Sequence, residues 1–145
     1  LLAKIHPAQD LSLFDREGCS NVRILTNDEM QQASCDLYSL LGVSDGLITD
    51  YSSVFFDYLL LNRPIGFTVD DMEEYRQTRG FVVDDPYPLM PGQFIHTPEE
   101  FIGFLTGLLA GEDAFADRRE QVGRLVNQYP GGKDADRCLK IAGIL

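Results

Sequence analysis

The 145 residues are enough for one domain with a buried core, and 44% of them are apolar. The formal net charge of −11 excludes a typical nucleic-acid surface, which is basic, and disfavours docking of this segment onto anionic lipid. Three cysteines and two histidines without metal-ligand spacing argue against a disulfide framework and a zinc site. We therefore expect no metal or cofactor, and a reducing, cytoplasmic setting is favoured.

The first seven residues lack an initiator methionine and the layout of a signal peptide. They are typical of the middle of a domain, so we expect this chain to be a piece of a longer protein. In chain order, strands are predicted at 1–5, 22–26, 47–49 and 65–69. Helices are predicted at 30–41, 54–61, 98–110 and 113–128, in the short acidic segment 70–78, and from residue 134.

Boundary residues support several of these elements. Asn27-Asp28 is expected to cap the first helix, and the proline-rich segment 85–92 is expected to be neither helix nor strand. Thr97-Pro98-Glu99-Glu100 has the pattern of a capping box, and Gly111 is expected to end that helix. The alternation of strands and helices predicts an α/β fold with βαβ units and a parallel sheet.

The turn after the strand at 47–49 is the first candidate site. Ser52 or Ser53 is a natural N-cap, and the N-terminus of a helix after a strand is a place where α/β proteins bind anions. The same two serines also suit a simple helix cap with no ligand. Position favours the ligand, because ligands in open α/β sheets bind at the carboxyl ends of the strands.

Asp57 follows Ser53 by one helical turn inside an otherwise apolar segment. It either accepts hydrogen bonds from ligand hydroxyls in the same cleft or is a solvated or structurally paired acid. His6 and Lys4 end the first strand at the same predicted edge, where they could contact a phosphate. Arg79, beside Gly80, is either part of a plain turn or a phosphate contact.

These residues belong to a longer pattern that resembles the CDP-glycerol glycerophosphotransferase family, the teichoic acid polymerases and primases. The resemblance covers about residues 1–110 and is carried by these segments: Leu47-Ile48-Thr49-Asp50-Tyr51-Ser52-Ser53-Val54-Phe55-Phe56-Asp57, Asn62-Arg63-Pro64-Ile65, Glu74-Tyr75-Arg76, Arg79-Gly80-Phe81, Pro91-Gly92 and Thr97-Pro98-Glu99-Glu100.

The resemblance implies a GT-B architecture, with two Rossmann-like domains around a cleft. Residues 1–145 would form a single domain, most of the C-terminal donor-binding domain without its first strand and helix, and 113–145 would be peripheral helices. It also implies transfer of glycerol phosphate from CDP-glycerol to a teichoic-acid-like or capsular polymer, with release of CMP. The location implied is the cytoplasmic face of the membrane, with association through parts outside this chain.

Carried over to this sequence, the resemblance implies that Ser52 and Ser53 hold the donor pyrophosphate and that Asp57 contacts the glycerol hydroxyls. His6 would be the catalytic residue of this half, stabilising the phosphate region with Lys4. Lys4 stands where family members often have arginine, so a point charge replaces a bidentate fork. The general base would belong to the other domain.

Two other functions remain open. The serine turn would read a pyrophosphate and not a base, so a GT-B sugar transferase or epimerase with a UDP-linked donor also fits. The second is a nucleotide-binding domain without turnover, because half of the cleft would lie elsewhere. The sequence does not distinguish glycerol from ribitol, or priming from polymerisation.

Overall fold

The computed structural model describes residues 1–4, 21–129 and 131–145. These residues form two compact units, 1–43 and 44–145, and each is described by itself. His6, Cys19 and the end of the strand predicted at 1–5 lie outside the described residues.

The first unit contains two short parallel strands, β1 (Leu2–Lys4) and β2 (Arg23–Leu25). Both lie within the predicted strands. Two helices follow, α1 (Asn27–Gln32) and α2 (Leu37–Val43). Burial in this unit is limited, and Met30 and Leu41 are its buried apolar residues within the described range.

The single helix predicted at 30–41 is wrong, because the chain leaves the helical conformation between α1 and α2. Thr26, not Asn27-Asp28, caps α1 and forms a capping box with Glu29. Ser34 then adopts a φ of 50° in the left-handed region. The Asp36 carboxylate accepts a 2.6 Å bond from the Ser39 N–H, which starts α2 and lowers the pKa of Asp36.

The second unit is built on a three-stranded parallel sheet in the order β3 (Leu47–Thr49), β4 (Ile65–Thr68) and β5 (Gln93–Ile95). Its helices are α3 (Val54–Tyr58), α4 (Met72–Thr78), α5 (Pro98–Ala110), α6 (Ala116–Val126) and α7 (Asp134–Ile141). Two 3₁₀ turns, Leu59–Leu61 and Tyr87–Leu89, follow α3 and precede β5. Parallel strands with flanking helices confirm the predicted α/β class.

The core of this unit lies around β4, the central strand. Phe67 and Ile65 are fully buried, and the Phe55 ring of α3 meets Phe67 edge-on at 5.1 Å between centroids. Gly66 leaves space that Ile95 and Phe104 fill from β5 and α5. The core therefore fixes α3 and α5 against the sheet, and with α3 it fixes the turn that precedes it.

Several local predictions are confirmed and three need correction. The capping box of Thr97 and Glu100 forms, and Gly111 ends α5 with a φ of 73°. The segment 85–92 contains a 3₁₀ turn, and β5 after it was not predicted. Helix α6 begins at Ala116, because the Asp113 carboxylate accepts the Phe115 N–H in a turn before the helix.

Candidate functional site

The carboxyl ends of β3, β4 and β5 meet at one edge of the sheet, because all three strands are parallel. We call this the carboxyl edge, and it comprises the residues that follow each strand: 50–53 after β3, 69–71 after β4 and 96 after β5. The polar turn 50–53 leads directly into α3. Ligands of open α/β sheets bind at this kind of edge.

Both candidate serines lie exposed in this turn. Ser53 occupies the N-cap position of α3 as predicted, but its φ of −61° and ψ of −11° are helical and its hydroxyl makes no capping bond. The prediction of a hydroxyl cap is therefore wrong. The Ser52 N–H donates instead to the Asp50 carboxylate at 2.8 Å, which closes the turn. The Ser53 hydroxyl is thus not consumed by its own helix.

Asp57 lies on the exposed side of α3, one turn after Ser53. Phe55 and Tyr58 on the opposite side are buried, so the core orients the helix and leaves the carboxylate at the surface. Because the Asp57 carboxylate is exposed, it does not incur the free-energy cost of burying an unpaired charge. An exposed carboxylate near two exposed serines can accept hydrogen bonds from hydroxyl groups of a ligand.

Tyr51 is a member of the edge that sequence reasoning missed as a functional residue. Its hydroxyl donates to the Asp71 carboxylate at 2.8 Å, and its ring lies 4.5 Å from that of Tyr75 and 5.5 Å from that of Phe81. Partial burial, and then the hydrogen bond to Asp71, raise the pKa of the Tyr51 phenol, so it stays protonated. The sequence feature that could have indicated Tyr51 is the presence of an aromatic residue inside a polar turn.

The two arginines of the α4 region differ in their contacts. The Arg76 guanidinium donates to the Asp84 carbonyl at 2.7 Å and lies 5.7 Å from the centre of the Phe81 ring. Arg79 is exposed, and within the described part of the chain its guanidinium has no hydrogen-bond or ion-pair partner. Gly80 after it has a φ of 73°, a conformation that favours glycine. Arg79 is therefore a cation available to a ligand.

Two predicted site residues, Lys4 and His6, are not part of the second unit as it is described. Lys4 ends β1 in the first unit, and it is half-buried. His6 lies outside the described residues. His96 follows β5 and is exposed, and its backbone N–H donates to Glu100 at 2.6 Å. The site is thus described for Ser52, Ser53, Asp57 and Arg79 of the second unit.

Two features are absent from the part of the chain that the structure describes. No group of three or more histidine, cysteine, aspartate or glutamate side chains there is arranged to hold a metal ion. No helix among them is both long and apolar enough to cross a bilayer.

Comparison with known proteins identifies the pattern. Residues 1–142 match the model of the family described as CDP-Glycerol:Poly(glycerophosphate) glycerophosphotransferase. The chain belongs to this family. The resemblance noted in the sequence is therefore confirmed, and it covers nearly all of the chain.

Individual relatives agree with this assignment. A teichoic acid glycerol-phosphate primase of Bacillus spizizenii is 37% identical over 139 residues, which are 96% of this chain and 33% of that protein. A teichoic acid ribitol-phosphate primase of the same species is 56% identical over 48 residues, 33% of this chain and 12% of that protein.

A solved structure, that of the wall teichoic acid polymerase TagF, matches with a TM-score of 0.69 and 26% identity. The match covers 97% of this chain and 33% of the TagF chain. It confirms the predicted α/β fold, with parallel strands and flanking helices. The chain spans about a third, or less, of the length of the relatives that it matches.

Proposed function

We propose that this chain supplies the donor-binding half of a transferase that moves glycerol phosphate from CDP-glycerol to a teichoic-acid-like or capsular polymer, with release of CMP. The observation that carries the proposal is the family match over residues 1–142. The exposed polar turn at the carboxyl edge supports it, because this edge is where α/β folds bind phosphorylated ligands.

In this proposal Ser52 and Ser53 hold the donor pyrophosphate. The two hydroxyls are hydrogen-bond donors, and Arg79 adds a local positive charge to a chain that is negative overall. Asp57 accepts hydrogen bonds from the glycerol hydroxyls. The phosphate is then recognised by the two residues that precede α3, and the polyol by Asp57, one turn into the helix.

His6 is proposed as the catalytic residue of this half, and Lys4 as its neighbour in phosphate binding. Transfer at phosphorus needs positioning of the reactants and neutralisation of developing charge more than covalent work by the protein. A histidine and a lysine next to the leaving CMP phosphate supply that neutralisation. The general base is proposed to lie in another part of the protein.

The wider setting follows from the same proposal. Residues 1–145 would be one domain, most of the C-terminal donor-binding domain of a longer GT-B enzyme, with 113–145 as peripheral helices. The enzyme would act at the cytoplasmic face of the cell membrane and would associate with it through parts outside these residues. Its partners would be CDP-glycerol and a polyol-phosphate polymer.

A second donor, CDP-ribitol, is favoured by one observation. The relative with 56% identity over 48 residues is a ribitol-phosphate primase. Glycerol and ribitol both present vicinal hydroxyls to a carboxylate, so Asp57 can accept hydrogen bonds from either. The donor assay should therefore include both CDP-linked polyols, with a UDP-linked sugar as the representative of the other transferases of this architecture.

The proposal is tested by replacing both serines in the full-length enzyme. We expect Ser52→Ala with Ser53→Ala to raise the KM for CDP-glycerol by about tenfold or more, since two hydrogen bonds to a charged group are lost. Asp57→Ala should weaken the binding of CDP-glycerol more than the binding of CMP, because CMP carries no glycerol. Thr106→Ala is a matched control, since its exposed hydroxyl bonds only to its own helix at Ile102.

Two results would contradict the proposal. An unchanged KM in the double serine variant would remove the phosphate site from this turn. Equal affinity for CDP-glycerol, CDP-ribitol, a UDP-sugar and free phosphate would remove the cytidine assignment and leave a site for any phosphate.

A further inference from the structure

We propose that Tyr51 is a positioning residue, which holds the serine turn and the Arg79 segment in the mutual arrangement that binds the donor diphosphate. The inference rests on the proposed function and deepens it. Ser52 and Ser53 follow β3, whereas Arg79 ends α4, a different element. A diphosphate that contacts both the serines and Arg79 needs the two segments at a fixed separation. Within the described residues, the Tyr51 side chain joins these segments.

The first link is the hydrogen bond from the Tyr51 hydroxyl to the Asp71 carboxylate at 2.8 Å. Asp71 is the N-cap residue of α4, and its backbone carbonyl accepts the Tyr75 N–H at 2.9 Å. Tyr51 is the immediate neighbour of Ser52. One hydrogen bond therefore ties the residue next to the candidate phosphate site to the start of α4.

The second link is a cluster of three rings, Tyr51, Tyr75 and Phe81. The centroid of Tyr51 lies 4.5 Å from that of Tyr75 and 5.5 Å from that of Phe81, and the last two lie 5.1 Å apart. These separations are those of favourable aromatic pairs. Tyr75 precedes Arg79 by one helical turn and Phe81 follows it by two residues. The cluster thus contacts the chain on both sides of Arg79.

The charges around Tyr51 indicate why a phenol occupies this position. The carboxylates of Asp50, Asp70 and Asp71 all act on the phenol and oppose its ionisation. A protonated tyrosine donates to one of them without adding another charge where an anion is to bind. Phenylalanine would keep the ring contacts but lose the tie to α4, so the hydroxyl is the atom to test.

The test uses the full-length enzyme with CDP-glycerol, CDP-ribitol and UDP-glucose as alternative donors. Tyr51→Phe removes the hydroxyl alone, and Asp71→Ala removes its acceptor. Asp71→Asn is the conservative variant, since its amide oxygen still accepts the bond. Tyr87→Phe is the control, because Tyr87 is exposed and its hydroxyl has no described partner.

We expect Tyr51→Phe and Asp71→Ala each to raise the KM for the donor that is turned over by about three- to tenfold, with kcat within about twofold. The double variant should resemble either single one, because both remove the same bond. Asp71→Asn and Tyr87→Phe should stay close to the parent protein. The unfolding midpoint should change little in all of them, which a purely structural role would not give.

Failure of the inference and failure of the proposed function give different results. An unchanged donor KM in Tyr51→Phe, or a KM that rises only together with a large loss of thermal stability, overturns the role of Tyr51. If UDP-glucose is turned over and neither CDP-linked polyol is, the proposed function is wrong, and the Tyr51 variants still test the inference on the donor that is used. Turnover of none of the three donors overturns both.

Discussion

The two edges of the β3–β5 sheet differ in the solvent exposure of their charged and polar side chains. At the carboxyl edge, Ser52 and Ser53 are exposed polar groups, as are Asp57 and Arg79 on the helices that follow β3 and β4. At the amino edge, where β4 and β5 begin, the prominent charge is Arg119, and its side chain is only 1% exposed. One edge presents its polar groups to solvent, whereas the other encloses them.

The charged groups at the amino edge have a structural role. Arg119 pairs with the Asp113 carboxylate through two of its nitrogens and donates to the Asn62 carbonyl at 3.2 Å. Its hydrogen bonds hold the pKa of the Asp113 carboxyl below its usual value, against the effect of burial. The pair borders a cavity of about 130 Å³ between α5 and the strand beginnings.

The exposure of an arginine in this fold therefore indicates whether its side chain is available to a ligand. The terminal nitrogens of the buried Arg119 guanidinium donate to the protein's own oxygens, and only its Nε is buried without a hydrogen-bond partner in the described residues. An exposed guanidinium beside a turn of the other edge has all of its donors available. Substitutions at the amino edge should therefore cost stability, and substitutions at the carboxyl edge should cost donor binding.

The largest effect is expected at Gly92, just before β5. A Cβ atom there would lie 2.2 Å from the Ile65 carbonyl oxygen and 2.9 Å from an atom of the Phe67 ring. Backbone of the central strand would have to move, so Gly92→Ala should destabilise the protein by about 3 kcal/mol. Urea or thermal unfolding measures this loss.

Gly103 on α5 is the matched control. A Cβ atom there meets nothing within 4 Å, and alanine is the better helix former. Gly103→Ala should therefore stabilise by about 0.5–1 kcal/mol. A loss of stability in Gly92→Ala no larger than about 0.5 kcal/mol would contradict the close packing of this edge.

The next effect is expected at Arg119. Arg119→Met keeps the length of an apolar stem but leaves the Asp113 carboxylate without its partner. Asp113 is 27% exposed and can regain some water, so we expect a loss of about 2 kcal/mol, below the range for a fully buried pair. If the enzyme folds, its donor KM should be unchanged.

Arg124 lies on the same helix and provides the comparison. Its side chain is 76% exposed and its partner Glu120 is 53% exposed. Arg124→Met should therefore change stability by less than about 0.5 kcal/mol. Similar losses for Arg119→Met and Arg124→Met would mean that the buried pair contributes no more than a surface one.

Sequence reasoning succeeded where the structural signal was local. The capping box at Thr97 and Glu100 and the glycine that ends α5 lie within a few residues of what they determine. Strand β5 has three residues, as the predicted strand β3 does, but it follows a proline-rich segment that indicates no regular structure. Its strand character comes from pairing with β4, as in Phe67 opposite Phe94, and a partner so distant in sequence is not visible locally.

The features of the site also separate into those that local sequence predicts and those that depend on distant residues. The exposed serines and Asp57 follow from a strand, a polar turn and an amphipathic segment, all within about ten residues. The break between α1 and α2 depends on the left-handed backbone at Ser34 and was not foreseen. The bond between Tyr51 and Asp71 joins residues 20 positions apart, so only the fold reveals it.

The smallest effect separates the two arginines of the carboxyl edge. Arg79→Gln removes an exposed cation with no described partner, so stability should be unchanged within about 0.5 kcal/mol. If Arg79 contacts the donor diphosphate, the KM for CDP-glycerol should rise by about tenfold and kcat should fall less. Steady-state kinetics of the full-length enzyme measures both constants.

Arg76→Gln is the matched variant, three residues earlier on the same helix. It removes the bond to the Asp84 carbonyl and the contact with Phe81, so stability should fall by about 1 kcal/mol and donor KM should change less than in Arg79→Gln. The opposite pattern, with Arg76 controlling KM and Arg79 controlling stability, would show that exposure at this edge does not mark the ligand contact. Equal effects would mean that both arginines act only through the local charge, because loss of either would then weaken anion binding alike.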